Sequence, residues 1–533
     1  MPGLMQDWQM TTNRFIDHAA KWHGRRDIVS RLEDGSIDRR TYAEVRTDAA
    51  RLSNALLAHG IGPGDRVATL AMNGAAHLAA WYAISGIGAV CHTLNPRFSD
   101  DQLVYIINHA GDRMILADGA FNGILERLLP HCPNVERIVF IAPPNASPSF
   151  ATPHGLLADF VAGQPNSCRW GAFDERTAAG LCYTSGTTGN PKGVLYSHRS
   201  NVLHTYMTIQ PDALDLSVRD VVMPVVPMYH ANAWGLAFSA PAVGAKLVMP
   251  GHRLDGASLC ELIRDEGVTM AAGVPTVWLA LAKYMQDNGV RLPTLTRIVV
   301  GGAAMPEVIV RAFKALGIDA IHAWGMTEMS PIGVAGTLPP DIATLPHDAQ
   351  VPYLLKQGRP FCGVDMRIVD EAGGELPHDG KSMGALQVRG PSVCAEYFRQ
   401  DESALTSDGF FDTGDIATLD AHGFMTITDR AKDIIKSGGE FISSIDIENA
   451  ALTYPQVAMA AVIAMPHPKW DERPLLIIQL RDGETAQAQD ILAHIAKRVP
   501  KHWLPDEIRF AGKLPLGATG KIDKKKLRAD YLV

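Results

Sequence analysis

A chain of 533 residues, 47% hydrophobic and 20% charged, is too long for one hydrophobic core and has an ordinary globular composition, which excludes a disordered or low-complexity protein. Its net charge of −8 gives no overall attraction to nucleic acid or anionic lipid, although basic residues gather near the C-terminus. The seven cysteines, at 91, 132, 168, 182, 260, 362 and 394, are odd in number and never spaced CxxC, which argues against a disulfide frame or a zinc site and fits a reducing cytoplasm.

The opening MPGLMQDWQM has no basic segment followed by an apolar stretch, so neither a signal peptide nor export is expected. Val67 to Pro96 carries no formal charge and is the one stretch that suggests a membrane span. Asn73, His77 and several glycines interrupt it, and it divides into strand, helix and strand, so a buried α/β unit is expected there. Short apolar runs (RVATLAM at 66–72, RIVFIA at 137–142, VTMAAGV at 268–274, TRIVVGGA at 296–303) alternate with helical patterns (GASLCELIRDEG at 256–267, PEVIVRAFKALG at 306–317). That rhythm predicts parallel sheets covered by helices on both faces, with function at strand C-termini. From Val364 short strands and turns predict a small antiparallel or barrel-like piece. After Arg430 a third texture appears, with a helix from Ile445, strands at 457–466 and 475–483 and a helix at 488–500. It amounts to about 100 residues of α+β structure, enough for a separate domain. The expected division is therefore 1–429 and 430–533.

YTSGTTGNPKGV, residues 183–194, follows the strand-like run AAGLCYT. A phosphate needs concentrated N–H donors and close backbone approach, which glycine permits. Gly186, Gly189 and Gly193 supply the approach, Thr184, Ser185, Thr187 and Thr188 supply hydroxyls, and Lys192 supplies a mobile charge. Pro191 stands where a Walker loop has its second glycine, so this is not that motif. The alternative is a surface turn, which has little use for four hydroxyls and three glycines in so short a span.

The loop resembles the signature of the adenylate-forming enzymes, which comprise acyl-CoA synthetases, peptide-synthetase adenylation domains and firefly-type luciferases. HAWGMTE (322–328), FDTGD (411–415), DRAKDIIKSGGE (429–440) and LPLGATGKIDKKKL (514–527) resemble the family's later motifs, in the family's order and across nearly the whole chain. The resemblance is nearest to bacterial medium-chain acyl-CoA ligases, including those acting on 3-methylmercaptopropionate. It implies an α/β protein with a large N-terminal part of two doubly wound subdomains plus a small β-barrel-like subdomain, followed by a smaller mobile α+β C-terminal domain. It also implies ATP and Mg²⁺ as cofactors, CoA as co-substrate, and a homodimer as the usual assembly.

Read as chemistry, Glu328 offers oxygen to a hard cation, and with Thr184 is the expected Mg²⁺ contact. By resemblance Thr327 contacts the α-phosphate, while Ala323, Trp324, Gly325 and Met326 line the nucleotide and acyl pocket. Gly301, Gly302 and Ala303 give a surface nearly free of side chains, against which adenine and the acyl chain could lie. Asp415 suits the ribose hydroxyls, with Arg430 as a further donor. Lys521 is the expected catalytic group, because a cation between two approaching anions lowers the barrier to attack on the α-phosphate. Lys524, Lys525 and Lys526 are expected on a solvated basic face. By resemblance Lys432 is the hinge, and Lys436, Ser437, Gly438, Gly439 and Glu440 form the strip that meets the pantetheine arm of CoA.

His230 and Trp234 are four residues apart and on a helix would share one face of the acid pocket. No aspartate occurs between Met223 and Phe238 to hold an α-amine, which argues against an amino acid, and the bulk of Trp234 favours short or medium chains. The rivals are an adenylating enzyme that loads a carrier protein and an inactive nucleotide-binding module.

Overall fold

The structure, a computed structural model, describes residues 1, 3–184, 190–437, 440–517 and 522–532, the side chains of 440 and 441 excepted. The uncharged stretch after Arg66 folds as the strand Arg66–Leu70, the helix Ala75–Gly86 and the strand Val90–Thr93. Both strands are almost wholly buried, as is expected when helices cover both faces of a parallel sheet. They sit in a seven-stranded sheet ordered His154–Leu156, Arg137–Phe140, Met114–Ala117, Arg66–Leu70, Val90–Thr93, Ala178–Thr184, Lys192–Ser197. All pairings are parallel except the last, a hairpin whose two strands flank the glycine-rich loop.

The second sheet has nine strands, with the parallel strands Asp319–Gly325, Arg297–Val300, Met270–Gly273, Val221–Pro224 and Lys246–Met249 at its centre. One edge is the N-terminal hairpin Asp27–Arg31 and Ile37–Thr41, the first strand pairing in parallel with Lys246–Met249. The helix Ala75–Gly86 belongs to the core cluster joining the two sheets: its Trp81 ring meets Phe238 edge-on at 4.5 Å, and the Tyr82 hydroxyl donates to Ala237 O. A helix so lacking in charge can exist only where every side is covered.

Asp365–Val369, Gly384–Arg389, Phe411–Leu419 and Met425–Arg430 follow as a four-stranded antiparallel meander, the small all-β unit expected after Val364. The last part is a five-stranded sheet built on the long pair Val457–His467 and Asp471–Leu480, with helices Ser444–Leu452, Ala488–Ile495 and Lys524–Tyr531. It joins the meander by polar contacts: the Ser443 hydroxyl donates to Thr428 O at 2.7 Å and the Ser444 N–H to Asp429 Oδ2 at 2.9 Å.

One expectation fails here. Lys524 is not on a solvated face: its Nζ lies 2.8 Å from Glu448 and reaches Ser444 Oγ, with only Lys525 and Lys526 exposed. The cause is helical period, since Lys524 sits one turn from the buried Leu527 on the face packed against the sheet. Among the described residues no helix is long and apolar enough to cross a membrane.

Candidate active site

The hairpin Ala178–Thr184 and Lys192–Ser197 fixes both ends of the glycine-rich loop expected to hold phosphate, because Thr184 and Lys192 are paired across it. Ser185, Gly186, Thr187, Thr188 and Gly189 lie outside the described residues. Beyond the hairpin the strand is tied to the WGMTE segment: the buried Tyr196 hydroxyl donates to Thr327 O at 2.8 Å. Glu328, in the 3₁₀ turn Thr327–Met329, is 6% exposed and accepts from the Tyr397 hydroxyl at 2.8 Å. Lys192 Nζ stands over the same Tyr397 ring, 4.6 Å from its centre. Tyr397 therefore holds the loop's lysine on its face and the motif's carboxylate on its hydroxyl.

Burial pushes the Glu328 carboxyl above the usual carboxylate range, against the opposing pull of the Tyr397 hydroxyl and of the Arg430 and Lys192 charges. A buried carboxylate with one oxygen on a tyrosine hydroxyl and no cationic side chain bonded to it among the described residues is suited to a hard cation. No group of three or more metal-ligating side chains occurs among the described residues, so any cation here would take the rest of its shell from ligand or water.

Asp415 and Arg430 are directly paired across neighbouring strands of the meander, Arg430 Nε lying 2.8 Å from Asp415 Oδ1. The carboxylate is buried and the guanidinium half-exposed, so the pair presents an anchored acid beside an accessible donor.

Of the residues expected to line the acid pocket, Trp234 meets Gly301 and Gly302, though not from a helix face. Ala231, Asn232, Ala233 and Trp234 have φ of 44°, 57°, 54° and 56°, a left-handed turn closed by Gly235, and His230 before it is extended. The expectation that His230 and Trp234 share one face of a right-handed helix is overturned. Left-handed backbone costs about 1–2 kcal/mol per non-glycine residue, so burial must hold the turn: all four residues are buried, and Asn232 Oδ1 accepts from Trp81 Nε1 at 3.0 Å. The turn aims the Trp234 indole at the GGAAMP segment, where a Cβ on Gly301 would stand 3.0 Å from Trp234 Cη2 and 2.9 Å from Ala323 O. Gly301, Gly302, Ala323 and Trp234 thus form one wall. Gly325 is required by close approach, since a Cβ there would lie 1.8 Å from Pro331 O, and Met326 N–H donates to that same oxygen.

In the C-terminal part, Lys436 and Ser437 lie on the strand Ile435–Ser437, with Lys436 Nζ 3.7 Å from the exposed Glu371 of the meander and Ser437 Oγ accepting from Arg473. Burial lowers the Lys432 pKa. Gly438, Gly439 and Lys521 lie outside the described residues, as does the side chain of Glu440. Leu516 and Ile522 pair in an isolated antiparallel bridge. Sequence reasoning missed Tyr397 and Tyr196, which no motif marks, and His204, whose Nε2 accepts from Ile332 N–H at 2.9 Å behind the Trp234 turn.

Comparison with known proteins shows the family. Residues 15–398 match the AMP-binding enzyme family, and residues 446–521 match the AMP-binding enzyme C-terminal domain. The chain belongs to the AMP-binding enzymes. It is 47% identical to a medium-chain-fatty-acid–CoA ligase of Ectopseudomonas oleovorans over 100% of this chain and 98% of that one. It is also 46% identical to a 3-methylmercaptopropionyl-CoA ligase of Ruegeria lacuscaerulensis, over 100% of this chain and 99% of that one. A long-chain-fatty-acid–CoA ligase of Thermus thermophilus is 44% identical over 99% of this chain and 97% of that one. The fold matches a crystal structure of the anthranilate CoA ligase AuaEII in complex with anthranoyl-AMP, with a TM-score of 0.86, 23% identity and 99% of both chains covered. The expected family and the expected α/β fold are both borne out.

Proposed function

We propose that the protein is an ATP-dependent acyl-CoA ligase acting on a short- or medium-chain carboxylic acid, 3-methylmercaptopropionate among the candidates. The observation that carries this reading is Tyr397, which joins the phosphate-loop lysine to the buried Glu328, in a chain whose full-length relatives include medium- and long-chain CoA ligases. Trp234 against Gly301 and Gly302 supports a pocket floor that limits chain length.

In the first half-reaction a carboxylate oxygen of the acid attacks the α-phosphorus of ATP, the bond to the bridging oxygen breaks, and pyrophosphate leaves. Lys192 and the loop hydroxyls hold the outer phosphates, Thr327 orients the α-phosphate, and Asp415 with Arg430 holds the ribose. Lys521 is assigned to the gap between acid and α-phosphate, where it offsets the charge of two anions in contact. Glu328 and Thr184 would hold Mg²⁺, which when bound neutralises phosphate charge. In the second half-reaction the CoA thiolate attacks the acyl carbon and AMP leaves; a thiol of pKa near ~8.5 needs little help to ionise, and no nucleophilic side chain is required. Lys436 to Glu440 are assigned to the passage of the pantetheine arm, and Lys432 to the hinge between the two arrangements. The uncombined thiols of all seven cysteines are compatible with a reducing, cytoplasmic setting.

The test is release of AMP and pyrophosphate across a carboxylate panel, with and without CoA. CoA-dependent release peaking at short or medium chains is expected. Turnover that ignores CoA and needs a carrier protein would overturn the reading, and an absence of ATP cleavage would reduce the protein to a binding module.

A further inference from the structure

At the N-terminal ends of the strands Arg66–Leu70, Met114–Ala117 and Arg137–Phe140 lies a cavity of about 440 Å³ that the reaction above does not use. Its walls carry three arginines, Arg66, Arg113 and Arg399, with Asn108 and Asn134, and one acid, Glu136. Arg113 is neutralised: it forks onto Glu136 at 2.8 and 3.0 Å and reaches Asp65 at 3.0 Å. Arg66 is different. It donates to the carbonyls of Ala110, Gly64 and Gly111 at 2.6, 2.8 and 3.1 Å, which fixes the guanidinium without cancelling its charge. Of the acids beside it, Asp65 is taken by Arg113, and Asp112, next to Gly111, is fully buried with its Oδ2 on His92 at 2.7 Å, so that it feels the Arg66 charge without a hydrogen bond to it.

Arg399 is exposed, its guanidinium 5.2 Å from the Phe398 ring centre, and it makes no hydrogen bond or ion pair among the described residues. Its backbone is left-handed, φ 58°, where a non-glycine residue is held only by its surroundings. Arg66 Nη2, already bonded to Gly111 O, and the unbonded Arg399 Nη2 converge on Gly111, whose Cβ, were there one, would stand 2.8 Å from the first and 3.6 Å from the second. Two cations turned toward one point with no carboxylate between them repel one another, and an anion reverses the sign of that interaction.

We propose that this cavity is a binding site for a phosphate-type anion, gripped by Arg66 and Arg399 with the amides of Asn108 and Asn134 on its walls. The site reaches the catalytic centre through three consecutive residues. Phe398 N–H donates to Gly193 O at 2.8 Å, at the end of the phosphate loop, and Tyr397 carries Glu328 on its hydroxyl. An anion that anchors Arg399 steadies the segment presenting Tyr397. The anion has two possible sources, free phosphate or the phosphate groups of CoA; only the second rests on the function proposed above.

The experiment is calorimetric titration of the full chain with inorganic phosphate, CoA and dephospho-CoA, at ionic strength held constant with potassium chloride. It compares wild type with Arg399→Gln, Arg399→Lys and, to remove the phosphate loop's own lysine, Lys192→Ala. Arg399 is exposed and unbonded, so its variants are expected to fold. For a free-anion site, phosphate affinity falls about tenfold in Arg399→Gln, recovers partly in Arg399→Lys and survives in Lys192→Ala. For the CoA phosphate, it is instead the preference for CoA over dephospho-CoA that Arg399→Gln abolishes. If Arg399→Gln changes neither quantity, or if Lys192→Ala alone abolishes phosphate binding, the site does not exist. That failure leaves the carboxylate panel unaffected.

Discussion

Glu328 shows how a single side chain serves ligand and fold in opposite senses. Its folded pKa is raised by burial, so the carboxylic acid is favoured at low pH, and folding free energy is lost as pH rises through that value. Glu328→Gln keeps an acceptor for the Tyr397 hydroxyl but removes the charge. The unliganded variant is therefore expected to melt higher than wild type at pH 8, with the difference vanishing near pH 4, while acyl-adenylate formation falls by about 100-fold or more. Scanning calorimetry at the two pH values and pyrophosphate release would check it; a variant that melts lower at pH 8 would show that the carboxylate is stabilised in the apo fold. Trp234 makes the second prediction at this scale. Its indole closes against Gly301 and Gly302, so Trp234→Ala should move the preferred acid toward longer chains, with kcat/KM rising about fourfold per added methylene, the worth of burying ~0.8 kcal/mol each time. An unchanged chain-length profile would place the acyl chain elsewhere.

The turn that carries Trp234 shows where local pattern stops being informative. Ala231 to Trp234 contains no glycine, and nothing in ANAW announces left-handed backbone; the conformation is imposed by neighbours distant in sequence, Trp81 on one side and His204 on the other. His204 is buried, its pKa lowered to about 3, and its Nε2 is the acceptor for Ile332 N–H. A depressed folded pKa means that the unfolded chain binds more protons between about pH 6.5 and 3, so this residue's contribution is present above pH 6.5 and is lost as pH falls. His204→Gln, which can still accept from Ile332, should flatten the decline of the melting temperature between pH 7 and 5; an identical decline would remove His204 as its cause. The same contrast governs what was legible in the rest of the chain. Parallel strands such as Arg297–Val300 and Arg66–Leu70 are buried on both faces beyond their leading arginine and announce themselves as apolar runs. The edge hairpin Asp27–Thr41 is half polar, IDRRT in its second strand, and only pairing with Lys246–Met249 makes it part of a sheet. The glycine-rich loop, WGMTE and DTGD are local chemistry and can be read as such. Tyr397 is joined to Glu328 across 69 positions of sequence and follows no motif.

At the scale of the molecule, the C-terminal part rests on the meander through a compact polar seam. Ser443 and Ser444 grip Thr428 and Asp429 across it, and behind them, within the C-terminal part, Lys524 of the last helix pairs with Glu448. Burial raises the Glu448 carboxyl, an effect that Lys524 opposes. Lys524→Met leaves that carboxylate buried without a counter-charge, its remaining bond being from Val462 N–H, which should cost about 3–5 kcal/mol, whereas adding Glu448→Gln should restore most of the loss; denaturant melts of the single and double variants decide it. The seam matters because the catalytic lysine we assign travels with this part. Lys521 belongs by sequence to the C-terminal part, whereas Thr184 and Lys192, which flank the glycine-rich loop, belong to the seven-stranded sheet. If that ammonium acts only where carboxylate meets α-phosphate, Lys521→Ala should reduce acyl-adenylate formation by about 100-fold or more. It should leave thioester formation from preformed acyl-adenylate and CoA near the wild-type rate, because thiol attack on the acyl carbon brings no second anion to the phosphorus. Single-turnover assays of each half-reaction separate the two. Equal losses in both would mean that the lysine positions the whole C-terminal part rather than the reacting groups, and the two half-reactions would then share one arrangement of the molecule.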